Sequence, residues 1–351
     1  MEGMIEIFYD LRSIQMEYVW YNRGRKMYGE NGFRGTPEEV CVHSKRRPIM
    51  RGKIVKALTA VAVAAVAAYF MPKQAKRDTA LPIPVGESIS FLPERTGANM
   101  DPIRLYYYRP LRWTEKDPVL VGYHGFGRDA SAFCKELQPL ADEKNIIIVC
   151  PEFSKKKYPG ARWYQDGNMS DSDEPGGNIQ PKESWTFPAA DRIMEEVRTR
   201  SQTQGKLIAF GHSAGAQFLH KKSLFDGEEK ADVVAIANSG WFTMPDRKIA
   251  YPYGIEDIGI TDEELAKAFA RPVILFMGGN DVERKPPFRM TPEADAQGLN
   301  RKERCMNYFS QCREKAEDLQ VPFNWKLETV EGVAHEDGPM ARGAVEYILG
   351  N

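Results

Sequence analysis

Residues Leu207 to Phe218 read Leu-Ile-Ala-Phe-Gly-His-Ser-Ala-Gly-Ala-Gln-Phe. Four apolar residues run into Gly211-His212-Ser213-Ala214-Gly215, and helical spacing follows. A short apolar run of this kind suits a strand buried on both faces. The pattern G-x-S-x-G also arises by chance, and a polar turn between two ordinary elements would satisfy it. Its position is the stronger signal. A serine held on a tight strand-to-helix turn requires an apolar strand before it and a helix after it. Gly211 and Gly215 then have a physical task, because side chains there would crowd the neighbouring strand or helix. Ser213 would stand clear of the sheet, at the start of a helix opening at Ala214.

The flanking sequence repeats the strand–helix alternation. Strands are predicted at "SISFLPE" from Ser88, "IRLYYYRP" from Ile103, Pro118–His124, Asn145–Phe153, Lys206–Phe210, Val233–Ala237, Val273–Met277 and Asn324–Val330. Helices are predicted at Ser131–Asp142, Ala189–Arg200, Ala214–Phe225, Lys302–Leu319 and Pro339–Leu349. Alternation on this scale predicts an α/β fold, a mostly parallel central sheet with helices on both faces.

A serine is a poor nucleophile without a base, and the base needs an orienting acid. The chain has five histidines. His43 lies in the N-terminal segment, His212 adjoins the serine, His220 falls within the next helix and His124 ends an earlier strand. His335, in "TVEGVAHEDGPM", follows the last strand and precedes the last helix, which makes it the candidate base. A surface-loop histidine is the plain alternative. The acid is expected at a strand end between serine and histidine. "PVILFMGGNDVE" supplies Asp281, with Glu283 as a local substitute, although Gly-Gly-Asn-Asp is also ordinary turn chemistry.

The chain has 351 residues and a formal net charge of −1, room for one large α/β domain or two small ones. The charge balance gives no reason to expect nucleic acid as a partner. Segment 1–49 shows no sustained period. In segment 50–78, Arg51, Lys53 and Lys56 precede an uncharged apolar run, Ala57 to Met71, about as long as a signal-peptide core and short for a membrane span. Three readings are open. Ala65-Val66-Ala67 would suit cleavage of a secretory signal; Lys73, Lys76 and Arg77 would suit an uncleaved anchor giving membrane association through residues 57–71; a buried alanine-rich helix is the third. The basic residues before the run place the main domain outside the cytoplasm, exported or anchored. A start at Met50 would account for the patternless segment. Residues 79–87 read as a linker and 88–351 as the catalytic-type domain.

Five cysteines show no metal-ligand spacing. Cys305 and Cys312, two helical turns apart, are separated by about 10 Å, too far for a disulfide. Cys134 and Cys150 could pair in an exported domain; buried free thiols are the default.

With Ser213, Asp281 and His335 in that order, the chain resembles the α/β-hydrolase superfamily from about Ser88 to Asn351. His124-Gly125-Phe126-Gly127 occupies the place after the third strand where this fold supplies an oxyanion-hole amide. The resemblance implies an N–H from Phe126 or Gly127 as one donor and the Ala214 N–H as the other. "GYHGFGRDASAF" and "VVAIANSGW" are similar to secreted esterases of the polyhydroxybutyrate depolymerase and feruloyl-esterase type. That likeness implies hydrolysis of small or polymeric carboxylic esters through an acyl-enzyme, with no metal and no organic cofactor.

Substrate pockets of this fold are built from insertions, here Ser154–Pro188, Trp241–Ala270 and Val282–Asn300. Trp163, Trp185 and Trp241, with His124 at the end of its strand, are candidates for lining one; the aromatics serve equally as cores of the loops themselves. "QDGNMSDSDEPGG" misses two required positions of a calcium loop. Two rival readings remain. Gly125-Phe126-Gly127-Arg128-Asp129-Ala130 with Glu152 fits a dinucleotide fingerprint but leaves Asp281 and His335 unexplained. A non-catalytic binding module of the same fold would usually lack one of the three polar residues.

Overall fold

Exposure along each strand sorts the strands before their pairing is considered. Alternating exposure marks an edge strand, and uniform burial marks a strand covered on both faces. The computed structural model describes residues 81–226 and 229–350 and, before them, the backbone of three strands. The chain divides into two units, Met1–Ala75 and Lys76–Asn351.

The first unit contains β1 (Ile5–Asp10), β2 (Gln15–Asn22) and β3 (Arg25–Tyr28), an antiparallel meander in the order β1-β2-β3. Asp10 pairs with Gln15 and Asn22 with Arg25. Segment 1–49 is therefore not without pattern: "IEIFYD" and "QMEYVWYN" are rich in the β-branched and aromatic residues that strands favour. The apolar run Ala57 to Met71 and Cys41 lie outside the described residues. Among the described residues no helix is long and apolar enough to cross a membrane.

The second unit holds β4 (Gly86–Leu92), β5 (Ile103–Arg109), β6 (Val119–Tyr123), β7 (Ile147–Pro151), β8 (Leu207–His212), β9 (Val233–Ala237), β10 (Val273–Gly278) and β11 (Lys326–Val330). They form one sheet in the order β11-β10-β9-β8-β6-β7-β5-β4. β6 to β11 run parallel; β5 is antiparallel to β7, and β4 to β5. The fold is the α/β-hydrolase fold, as the sequence predicts. Period-2 alternation divides the core. Val119, Val121 and Ala209 face one layer with Phe218 and Leu219, while Leu120, Ile208 and Phe210 face the other with Phe276, Met340 and Val345.

The helices are α1 (Ala130–Glu136), α2 (Gln138–Lys144), α3 (Gly160–Tyr164), α4 (Phe187–Ser201), α5 (Ala214–Phe225), α6 (Asp262–Phe269), α7 (Pro292–Asp295), α8 (Arg301–Asp318) and α9 (Asp337–Leu349). The helix expected over Ser131–Asp142 is two helices broken at Leu137, because Pro139 lacks the N–H that a continuous helix would use. Every residue of α5 is buried, Lys221 and Lys222 included. Lys221 meets Asp166 at 3.1 Å, under the covering insertion.

In the sheet β6 lies between β7 and β8, so the chain passes from β6 to β7 on one side and then crosses to β8 on the other. Strand order thus reverses between β6 and β8. In open α/β sheets the crevice beyond the carboxyl ends of such strands is where ligands bind. Ser213 follows β8 and His124-Gly125 follow β6, so both lie at that crevice.

Candidate active site

The turn after β8 is narrow for a reason that can be measured. A Cβ added at Gly211 would lie 2.5 Å from the Gly215 carbonyl oxygen, and one at Gly215 would lie 2.0 Å from that of Tyr123 on β6. Neither neighbour is a flexible side chain, so only glycine fits. Ser213 takes φ 54° and ψ −110°, a conformation side chains rarely adopt. Its N–H donates to the Ala237 carbonyl at 3.0 Å, which ties the strained residue to β9.

The loop after β11 brings His335 to this serine. Its Nε2 lies 3.1 Å from the Ser213 Oγ, and its Nδ1 lies 2.7 Å from the Asp281 Oδ2. Asp281 follows β10 and is 1% exposed. Its second oxygen accepts from Arg301 Nη1 at 3.1 Å. Glu283, the local substitute, points to solvent and pairs with Lys285.

Burial pushes His335 below the ordinary imidazole value; the bond to Asp281 opposes this, and the neighbouring His212 and Arg301 add to it. Burial would raise Asp281, but the bond from His335 and the charges of His335, Arg301 and His212 hold it below the usual carboxylate range. The imidazole is thus a free base near neutrality, beside a charged carboxylate.

Gly125 approaches the serine closely: a Cβ there would lie 3.8 Å from the Ser213 Cβ. Arg128 donates its N–H to the Gly125 carbonyl at 3.2 Å, which makes Phe126 and Gly127 the central residues of a turn. Ala214 opens α5, so its N–H is among the amides that a helix cannot satisfy internally.

Three of the four residues considered for a pocket lining are built into the scaffold instead. His124 is 1% exposed; its Nε2 accepts from the Phe153 N–H at 3.1 Å, leaving Nδ1 to donate to the Gly125 carbonyl, also at 3.1 Å. Burial pushes it down to about 4, so it is neutral. Trp185 packs edge-on against Phe187 and donates to the Gln180 carbonyl. Trp241 is covered by the Lys221 ammonium, 4.1 Å from its ring centre, and by Arg289. Trp163 is partly exposed and packs against the larger core layer. The loops need their own cores because each is long, and these aromatics supply them. Glu152, the acid of the dinucleotide alternative, lies 3.6 Å from Arg104.

Several neighbours of the site have no motif in the sequence. His212 pairs with Asp337, and its ring lies 4.6 Å from that of His335. Gln217, one turn beyond the serine, accepts from Gln165 at 2.5 Å. Asn238 bonds both the β10 end and the histidine loop. His335 and Asp337 are two positions apart in "HEDGP", a spacing that places both near one loop–helix junction. Arg301 and Asn238 are apparent only in three dimensions.

No protein-family model and no curated protein matches the chain. Solved structures do. Poly(aspartic acid) hydrolase-1 from Sphingomonas sp. KT-1 is 29% identical, with a TM-score of 0.69, over 76% of this chain and 100% of that one. LpqC, a poly(3-hydroxybutyrate) depolymerase from Bordetella parapertussis, is 28% identical, with a TM-score of 0.69, over 76% of this chain and 91% of that one. Both are of the α/β-hydrolase type.

Proposed function

We propose that the chain is a serine hydrolase of carboxylic esters in which Ser213 is the nucleophile, His335 the base and Asp281 the orienting acid. The observation that carries this reading is the hydrogen-bonded line from Asp281 through His335 to Ser213, with steps of 2.7 and 3.1 Å. Likeness to two solved hydrolases over three quarters of the chain supports it.

His335 takes the Ser213 proton at Nε2 as the hydroxyl oxygen attacks the carbonyl carbon. Asp281 keeps the Nδ1 proton aimed at itself and stabilises the imidazolium. The oxyanion is bound by the Ala214 N–H and by an N–H of Phe126 or Gly127, donors worth several kcal/mol each in the transition state, about 2.7–4 kcal/mol by analogy with other oxyanion holes. His335 returns its proton to the leaving alcohol, and water repeats the sequence on the acyl-enzyme. The relatives' substrates are a polyester and a polymer of aspartic acid, so ester and amide links in a polymer are the two substrate classes to compare. An exported or membrane-associated location, read from residues 57–71, belongs to the same proposal.

The test is labelling of the full chain with a fluorophosphonate, followed by mass spectrometry and assays on a p-nitrophenyl ester, poly(3-hydroxybutyrate) and poly(aspartic acid). One adduct on Ser213, lost in His335→Ala, with ester turnover abolished in Ser213→Ala, is expected. A folded protein that takes no adduct and turns over no ester would overturn the reading in favour of a binding module.

A further inference from the structure

The Asp281 carboxylate is shared. One oxygen serves His335 at 2.7 Å and the other accepts from Arg301 Nη1 at 3.1 Å. Both acid and arginine are buried, with side chains 1% and 9% exposed. Arg301 is the first residue of α8, and its guanidinium lies 4.8 Å from the centre of the Phe288 ring. Its Nε is buried without a hydrogen-bond partner among the described residues. A buried guanidinium incompletely bonded is costly, and a hydrophobic residue would fill the space at less cost. Packing alone does not explain an arginine there.

We propose that Arg301 is a positioning residue for the hydrolytic site: it locks the Asp281 carboxylate and keeps His335 a free base under mildly acidic conditions. This rests on the function proposed above. The lock is geometric. With each oxygen engaged on a different partner, the carboxylate cannot rotate away from Nδ1. The charge effect follows from placement. A fixed positive charge on the far oxygen offsets part of the attraction of Asp281 for an imidazolium. Among the described residues, the other charged or titratable groups near the pair are His212 from β8, Asp337 from α9, Glu336, which folds back on the Ala334 N–H, and Arg304 of α8, which shares the Phe288 ring with Arg301. Lys302 and Glu331 border Gly279, two residues before the acid. Among the described residues, Arg301 and His335 alone hydrogen-bond the Asp281 carboxylate.

The test is the rate at which a fluorophosphonate labels Ser213, followed against pH in the full chain and in three variants. Arg301→Met removes charge and donor, Arg301→Gln keeps a donor without the charge, and Arg301→Lys keeps the charge. Removing the positive charge makes His335 easier to protonate, so the acid limb of the rate profile should move to higher pH, by about one unit. The expected pattern is a moved limb in the Met and Gln variants and a restored limb in the Lys variant. If Arg301→Met does not fold, Arg301→Gln alone decides. Uniformly slower labelling with an unmoved limb in the folded neutral variants would overturn the proposal, as would a limb moved equally by Lys. Wild-type chain that is never labelled at Ser213 would instead overturn the function proposed above.

Discussion

The side-chain amide of Asn238 donates to the Ala334 carbonyl at 2.8 Å, one residue before the histidine that faces Ser213. The same side chain accepts from the Gly278 N–H at 2.7 Å, three residues before Asp281. Asn238 sits at φ 52°, which asparagine tolerates better than most residues. One amide at the end of β9 therefore holds the acid loop and the histidine loop in register. Asn238→Ala would orphan both backbone groups, at about 1–3 kcal/mol each. Thermal melting should show the loss, and esterase kcat should fall by roughly 10- to 100-fold as His335 drifts from its partners. A variant with a lowered Tm and unchanged kcat would separate the amide from the site.

Gly215 of the elbow is predicted to differ sharply from Gly127 in the turn after β6. Gly215→Ala pushes a methyl to 2.0 Å from a backbone oxygen of β6, and overpacking of this kind costs on the order of 1–3 kcal/mol or more. Gly127→Ala meets nothing within 4 Å. Chemical denaturation should show a large loss of stability for the first and little change for the second. Gly127→Ala should also keep its activity, because a backbone N–H remains at that position.

The pH dependence of the wild type follows from the direction of the His335 shift. The unprotonated imidazole is the active form, and its environment lowers its proton affinity below the ordinary value of 6.5. The acid limb of kcat/KM should therefore have its midpoint below 6.5, and an ester-hydrolysis profile measures it. A midpoint above 6.5 would show that Asp281 dominates the balance.

Glu94 predicts a different pH effect, on stability. Its buried carboxylate accepts from Arg192 at 2.6 and 2.5 Å and from the Thr96 N–H at 2.6 Å. Burial alone would raise it, but these bonds hold it below 4.5. Its contribution is thus present above that pH and is lost as pH falls through the lowered value. Glu94→Gln should destabilise the domain by roughly 1–3 kcal/mol at neutral pH, with the gap to wild type closing in acid denaturation.

The alternation of strands and helices is legible because the central strands are short apolar runs separated by longer segments of helical composition. Ser213, Asp281 and His335 were legible for a related reason: each lies in a loop immediately after a strand, where chain order and turn composition carry information. α6 was not marked, although Thr261 and Glu264 form a reciprocal capping box whose T-x-x-E spacing is readable. Arg301 and Asn238 left no local signal, because each acts on a residue that is distant in the chain. Trp185 and Trp241 are buried in the insertions, whereas Trp163 is partly exposed. An aromatic in a long insertion looks the same whether it lines a cleft or fills the insertion's own core, and only burial separates the two.

Ser213 and His335 share a hydrogen bond across 122 positions of sequence, and the sheet between them is parallel. Parallel pairings of this span close late, because the loop entropy must be spent before the contact is made. Recovery of Ser213 reactivity after dilution from denaturant is therefore a clock for the final long-range closure. Fluorescence from the buried tryptophans would report the earlier collapse. The interval between the two signals measures how long the refolding chain remains collapsed but without an assembled site.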